Sequence, residues 1–270
     1  MSNLQLRVIS GVIMAAVVLW LTWLGGLPFR ALSAVISLAI FYEWCAMSRT
    51  PANGAYQWLS AALLALVLLA LLFGAPAHAV LLALCGAVLV SAGIDLVRGQ
   101  GSWTTVGLAY AGLSGISLAL LRGSDKAGLV AILFLFAVVW ATDILAYFVG
   151  RAVGGPKLAP AISPGKTWSG AIGGTICGMI AGLAVAAAGG ADLLVTVPVV
   201  LLLSVVSQIG DLFESWVKRR HGVKDSSHLI PGHGGVMDRV DGLVAAAFAL
   251  YLIGALLGGA GQPASGLFSL

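Results

Sequence analysis

"LVAILFLFAVVWATDILAYFVGR" runs from Leu129 to Arg151 and holds one acidic residue, Asp143, among long apolar side chains. A stretch this long and greasy reads as a helix crossing a bilayer, because about 20 apolar residues rising roughly 1.5 Å each traverse the hydrocarbon. Asp143, Tyr147 and Arg151 fall at i, i+4 and i+8, on one face near the end of that helix. A carboxylate in hydrocarbon is costly enough that its default reading is functional.

The rest of the chain repeats the pattern. Its 270 residues are 60% hydrophobic and only 9% charged, with a mean hydropathy of +1.05, which excludes a soluble globular domain. The hydropathy predicts nine helices near 8–26, 30–48, 58–74, 77–97, 102–121, 127–150, 168–189, 192–216 and 240–258. The expected fold class is therefore all-α, a polytopic membrane bundle of about nine transmembrane helices. Residues 1–125 would supply N-terminal helices and 126–270 the catalytic region, within one integrated membrane domain. The run Val8 to Leu24 is too long for the apolar core of a signal peptide and lacks an Ala-x-Ala site, so it reads as a span. Cys45, Cys85 and Cys177 lie far apart in apolar segments, which argues against disulfide or zinc frameworks.

Basic residues set the expected orientation. With the N-terminus in the cytoplasm, Arg7, Arg49, Arg98, Arg151, Lys157, Lys166, Lys218, Arg219, Arg220, Lys224 and Arg239 all fall inside, leaving Arg30, Arg122 and Lys126 outside. Such a bias places the chemistry on the cytoplasmic face, and a bacterial inner membrane is the expected location. Trp20, Trp23, Trp44, Trp58, Trp103 and Trp168 sit near predicted span ends and read as interfacial anchors. In the seventh span, Gly170, Gly174, Gly178 and Gly182 recur every four residues, a bare face that admits another helix, within the chain or across a homodimer.

The eighth span carries a polar stripe. Ser204, Gln208, Asp211, Ser215 and Lys218 are three or four residues apart, and Glu214 flanks the same face. Such a stripe in a membrane calls for water, a ligand or partners, and an ion pair from Asp211 or Glu214 to a lysine is the simple structural alternative. Glu43 and Asp95 lie near span ends beside Arg49 and Arg98, where a structural role is favoured.

Between the sixth and seventh spans, "GRAVGGPKLAPAISPGKTWSG" ends in Gly-Lys-Thr and invites a Walker A reading. Pro160 stands where that motif needs glycine, and no strand is expected before it. What survives is a turn-rich basic loop in which Ser163, Lys166 and Thr167 are potential phosphate donors, or else a well-capped start to the next helix.

"KDSSHLIPGHGGVMDRVDG", Lys224 to Gly242, is unusually polar and glycine-rich for so apolar a chain. Its proline and glycines, Gly234 and Gly235 among them, forbid regular helix and would let backbone N–H groups turn inward around phosphate. Lys218, Arg219, Lys224 and Arg239 surround it, while Asp225, Asp238 and Asp241 offer hard oxygen ligands, the last two at i and i+3. Carboxylates and cations at this density suggest magnesium and a polyphosphate; the spacing of His228 and His233 matches no usual zinc motif.

The run from Ser215 to Asp241, "SWVKRRHGVKDSSHLIPGHGGVMDRVD", resembles the signature of the phosphatidate cytidylyltransferases, also called CDP-diacylglycerol synthases. "TDILAYFVGR", "KLAPAISPGKTWSG" and "SQIGDLFES" extend the resemblance over about the C-terminal half, and Ser169 departs from it, standing where members often carry Glu or Gln. The resemblance implies transfer of the cytidylyl group of CTP to phosphatidate, with magnesium, one ion or two, as cofactor. It implies metal ligands at Asp211, Asp238 and Asp241, with Asp225 assisting. Phosphate contacts would come from Lys218, Arg219, Lys224, Arg239, Ser163, Lys166 and Thr167, with Asp143, Ser215, Gly234 and Gly235 at the substrates and His233 as acid or hydrogen-bond donor. Membrane lipid is the expected surrounding, and no nucleic acid is expected as partner. Another membrane lipid phosphotransferase or kinase is the alternative, and an ion-coupled transporter is a weaker one because it has no use for so charged a loop.

Overall fold

The computed structural model describes residues 3–48, 54–99, 101–230, 232 and 234–268. Among them nine helices follow the chain: α1 (Asn3–Leu24), α2 (Gly26–Ser48), α3 (Gly54–Leu72), α4 (Ala77–Arg98), α5 (Trp103–Arg122), α6 (Lys126–Val153), α7 (Trp168–Ala188), α8 (Leu193–Arg220) and α9 (Met237–Gly258). Seven of these are long and apolar enough to cross a membrane, while the apolar stretches Ile9–Leu24 and Tyr56–Leu72 are shorter. The protein is an all-α, multi-pass membrane protein. Between α6 and α7 lies a feature the hydropathy did not foretell, a two-stranded antiparallel sheet of β1 (Lys157–Ala159) and β2 (Ser163–Thr167).

The chain forms two compact units, one of Met1–Leu120 with Val223–Arg239 and the other of Leu121–Gly222 with Val240–Leu270. In the first, α5 is the most enclosed span, with 72% of its apolar window inside the protein. Small residues explain this: at Gly107, Gly112 and Gly115 the side chains of Trp44, Leu84 and Ser37 come so close that no Cβ would fit. Trp44 is fully buried, stacks on Trp103 with ring centroids 4.7 Å apart and donates its indole N–H to the Trp103 carbonyl at 2.9 Å. It is thus a core residue and not the interfacial anchor its position suggested. Trp20, Trp23 and Trp58 are well exposed, as an anchor should be.

A buried polar chain ties α3, α4 and α5 together in the same unit. The Tyr56 hydroxyl meets Ser91 Oγ at 2.5 Å, Ser91 meets Thr105 Oγ1 at 2.8 Å, and Thr105 donates to Asp95 Oδ2 at 2.6 Å. Polar groups shut away from water need such partners, so Asp95 has the structural role expected of it.

In the second unit the glycine face of α7 packs against α6. A Cβ at Gly170 would lie 2.6 Å from the Ala146 carbonyl oxygen, one at Gly174 2.5 Å from that of Thr142, and one at Gly178 3.0 Å from that of Val138. The bare face is therefore filled within the chain and offers no surface to a second copy. Helix α8 runs four residues beyond its expected end, to Arg220, and Lys218, Arg219 and Arg220 occupy its last turn, where cations favour the exposed carbonyl end. Helices α8 and α9 meet at two further glycines: a Cβ on Gly210 would lie 2.9 Å from the Asp241 carbonyl oxygen, and one on Gly242 2.8 Å from that of Ser207.

Candidate active site

Helix α6 ends at Val153, and the chain turns away through Gly154 and Gly155, whose φ angles of 68° and 102° only glycine adopts without strain. The β1–β2 hairpin follows, with Lys157 opposite Thr167 and Ala159 opposite Ser163. Thr167 then caps α7, its Oγ1 accepting from the Gly170 N–H at 3.1 Å. Ser169, the departure from the family pattern, donates to the Gly154 carbonyl and so fastens the hairpin to the end of α6. Lys166 and Thr167 thus stand on a strand and a cap, unlike the loop of a Walker motif, and β1 is a strand that the sequence reading did not expect.

These pieces enclose a cavity of about 650 Å³. Asp143, Tyr147 and Arg151 line it from α6, Lys157, Ser163, Lys166 and Thr167 from the hairpin, and Gln208 and Asp211 from α8. The face shared by Asp143, Tyr147 and Arg151 is real, and Arg151 Nη1 donates to the Tyr147 hydroxyl at 2.9 Å. The polar stripe of α8 divides into three parts. Ser204 and Gln208 bind Thr175 Oγ1 of α7 at 3.2 and 2.9 Å, Asp211 pairs with Lys166, and Glu214 pairs with Lys218 at 2.6 Å. Both ion pairs allowed by the sequence are therefore present. Glu214 is fully buried, so Lys218 is held by a partner that needs it.

Asp211 is not alone. Asp143 and Asp241 are both close enough to feel its charge, and the Lys166 ammonium offsets them. Asp241 comes into this neighbourhood because the glycines at 210 and 242 let α8 and α9 touch. Ser215 Oγ reaches Asp211 Oδ1 at 3.5 Å, and Arg219 Nε donates to the Ile162 carbonyl at 3.4 Å. The donors around Asp211 are oxygens, which suits a hard cation such as magnesium, and a lysine ammonium already sits against it as a cation does. Among the described residues, no three His, Cys, Asp or Glu side chains converge as a ready-made metal cage.

The charged segment after α8 belongs to the first unit, where one glutamate organises it. Glu43 of α2, fully buried, accepts from Ser227 Oγ at 2.6 Å, Ser226 Oγ at 3.0 Å, the Val236 N–H at 2.8 Å and the Met237 N–H at 2.7 Å. Asp238 Oδ2 accepts from the Ser226 N–H at 3.0 Å, Ser226 Oγ at 3.0 Å and the Gly235 N–H at 2.8 Å. The backbone N–H groups of Gly235, Val236 and Met237 thus hold the protein's own carboxylates, so the Gly235 N–H, one of those expected to turn toward phosphate, is taken by Asp238. Lys224, Asp225 and Arg239 are exposed, and Gly234 takes a φ of 83° beside Asp238. His233 lies outside the described residues. Glu43 thus has the structural role expected of it, but no local signal pointed to its partners, which lie 183 or more residues away.

Known proteins with this sequence pattern give the site a context. The Cytidylyltransferase family model matches residues 5–257. A phosphatidate cytidylyltransferase of Brucella suis biovar 1 (strain 1330) is 51% identical over 276 residues, covering 100% of each chain. That of Brucella abortus biovar 1 (strain 9-941) is 53% identical over 95% of each chain, and that of Bacillus subtilis (strain 168) is 32% identical over 95% of this chain and 99% of the relative. With a match over nearly its whole length and relatives aligned end to end, the chain belongs to the cytidylyltransferase family.

Proposed function

We propose that this chain transfers the cytidylyl group of CTP to phosphatidate, giving CDP-diacylglycerol for phospholipid synthesis and releasing pyrophosphate. The observation that carries the reading is the cavity at the end of α6, where Arg151, Lys157 and Lys166 and the hydroxyls of Ser163 and Thr167 face Asp143 and Asp211 beside apolar spans. A lipid phosphate and a water-soluble triphosphate can meet only where hydrocarbon gives way to water. Lys166, Arg151 and Lys157 would bind phosphate oxygens and offset the repulsion between two anionic reactants. An oxygen of phosphatidate then attacks the α-phosphorus of CTP, and the bond to the β-phosphate breaks as pyrophosphate leaves. Asp211 and Asp241 are the carboxylates of this unit that would hold magnesium, which when bound neutralises charge on phosphate oxygens. From the Val223–Arg239 segment we assign Asp225 and Asp238 to cation binding and Lys224 and Arg239 to phosphate.

Label position tests the reaction. Purified protein given phosphatidate, magnesium and CTP should carry α-label into the lipid phase and γ-label into pyrophosphate. Appearance of γ-label in lipid would instead mark a kinase, and the absence of lipid label across several phospholipid acceptors would refute the reading.

We assign the cavity to the cytoplasmic side of a bacterial inner membrane, on the bias of basic residues toward one side of the spans. Cysteines placed at Ala161 and His228, both exposed, should react with an impermeant thiol reagent in inverted vesicles and stay unlabelled in intact cells. Labelling of either from outside would reverse the orientation.

A further inference from the structure

We propose that Glu43 is a positioning residue for the reaction, a buried carboxylate that clamps the Val223–Arg239 segment into its working shape; the proposal rests on the function just assigned. Each oxygen of Glu43 takes one hydroxyl and one backbone N–H, Oε1 from Ser227 and Val236, Oε2 from Ser226 and Met237. Three donors that serve Glu43 alone, and the Ser226 hydroxyl that it shares with Asp238, meet its two oxygens and fix its direction. The clamp closes both ends of the segment at once, because Ser226 and Ser227 precede the glycine turn and Val236 and Met237 follow it.

The same geometry reaches Asp238. Ser226 Oγ stands 3.0 Å from Glu43 Oε2 and 3.0 Å from Asp238 Oδ2. A hydroxyl has one proton, so Ser226 links the two carboxylates and serves either, while its own N–H and that of Gly235 hold Asp238 Oδ2. Gly235 is needed here, since a Cβ would lie 2.6 Å from Glu43 Oε1. Glu43 thus sets the turn that orients Asp238 and, with it, the exposed Lys224 and Arg239. A glutamine cannot substitute: its NH₂ would face a backbone N–H, which, unlike a hydroxyl, cannot reverse to accept.

Full-length Glu43→Gln in detergent tests the clamp by two independent readouts. Tryptic cleavage after Lys224 should accelerate by about ten-fold while cleavage after Lys157 stays as in the wild type, because only the clamped segment opens. In the transferase assay, KM for CTP and the magnesium midpoint should each rise by about five-fold, together with a fall in kcat. A merely structural glutamate would lower the active fraction, and hence apparent kcat, without moving either midpoint. Ser227→Ala, which removes one donor and leaves the backbone intact, should show the same changes at about two-fold, and it keeps the test open should the glutamine variant fold poorly. Unchanged cleavage after Lys224 in both variants, or wild-type midpoints in both, would overturn the proposal, as would acceleration equally at Lys157. Should the wild type make no cytidylyl lipid, the function falls, while the tryptic comparison still decides whether Glu43 holds the segment.

Discussion

Asp211→Asn, Asp238→Asn and Asp241→Asn are each expected to lower turnover by about 10²–10³-fold with the protein still folded, a loss on the scale of removing one preorganised group that stabilises transition-state charge, here by holding a cation. Asparagine keeps the shape of the side chain and its ability to accept a hydrogen bond but loses the charge. At Asp211 the loss reaches two places, since the carboxylate both faces the cavity and holds Lys166. Lys166 would then bind phosphate from a looser position, so a raised KM for CTP should accompany the fall in kcat. Asp241 sits where Gly210 and Gly242 bring α8 and α9 together, and its asparagine variant should leave that packing unaltered. Asp95→Asn is the matched control. It too lies in a buried polar network, but its neighbour Thr105 still finds an acceptor in asparagine, so turnover near that of the wild type is expected. Thermal midpoints and elution profiles in detergent verify folding. Near-normal rates at saturating magnesium in two of the three asparagine variants would remove these carboxylates from the mechanism.

Much of this was legible in the sequence because a bilayer leaves so few options. Hydrocarbon demands long apolar helices, so hydropathy alone located all nine, and the spacing of Ser204, Gln208 and Asp211 showed a polar face on α8 before any partner was known. The glycine repeat of α7 showed that a helix would approach it but not which one. The hairpin was hidden for a physical reason: β1 has three residues and β2 contains Pro164 and Gly165, so neither shows the alternation that betrays a strand. Trp44 was misread because a tryptophan near a span end looks the same from sequence whether it meets headgroups or, as here, the face of Trp103. The structural role of Glu43 was legible from its place near a span end, but its partners were not, for Ser226, Ser227 and Val236 lie far along the chain. Local pattern finds elements, whereas the clamp is a tertiary fact.

Removal of divalent metal is expected to abolish lipid labelling almost completely, and charge balance in the cavity unit explains why. Arg151, Lys157 and Lys166 supply three formal positive charges, while Asp143, Asp211 and Asp241 supply three negative ones when ionised. Facing these carboxylates, the cations are only partly available to a triphosphate, which is itself a polyanion approached by a second anion. At a separation of about 4 Å, two like charges repel by roughly 4 kcal/mol at the effective dielectric typical near a protein surface, enough to cost several hundred-fold in rate for a single uncompensated pair. Lys166 cannot fill the whole deficit, because it shares its charge between phosphate and Asp211. A divalent cation can, and it also shields the oxygens of the departing pyrophosphate. Treatment with EDTA should thus eliminate transfer of α-label to lipid, and added magnesium in excess of chelator should restore it. The Asp211→Asn and Asp241→Asn variants should need more magnesium for whatever activity they retain, whereas Asp95→Asn should keep the wild-type midpoint. Substantial α-label in lipid after exhaustive chelation would show that the lysines and arginine suffice, and would move Asp211 and Asp241 from holding a cation to holding Lys166.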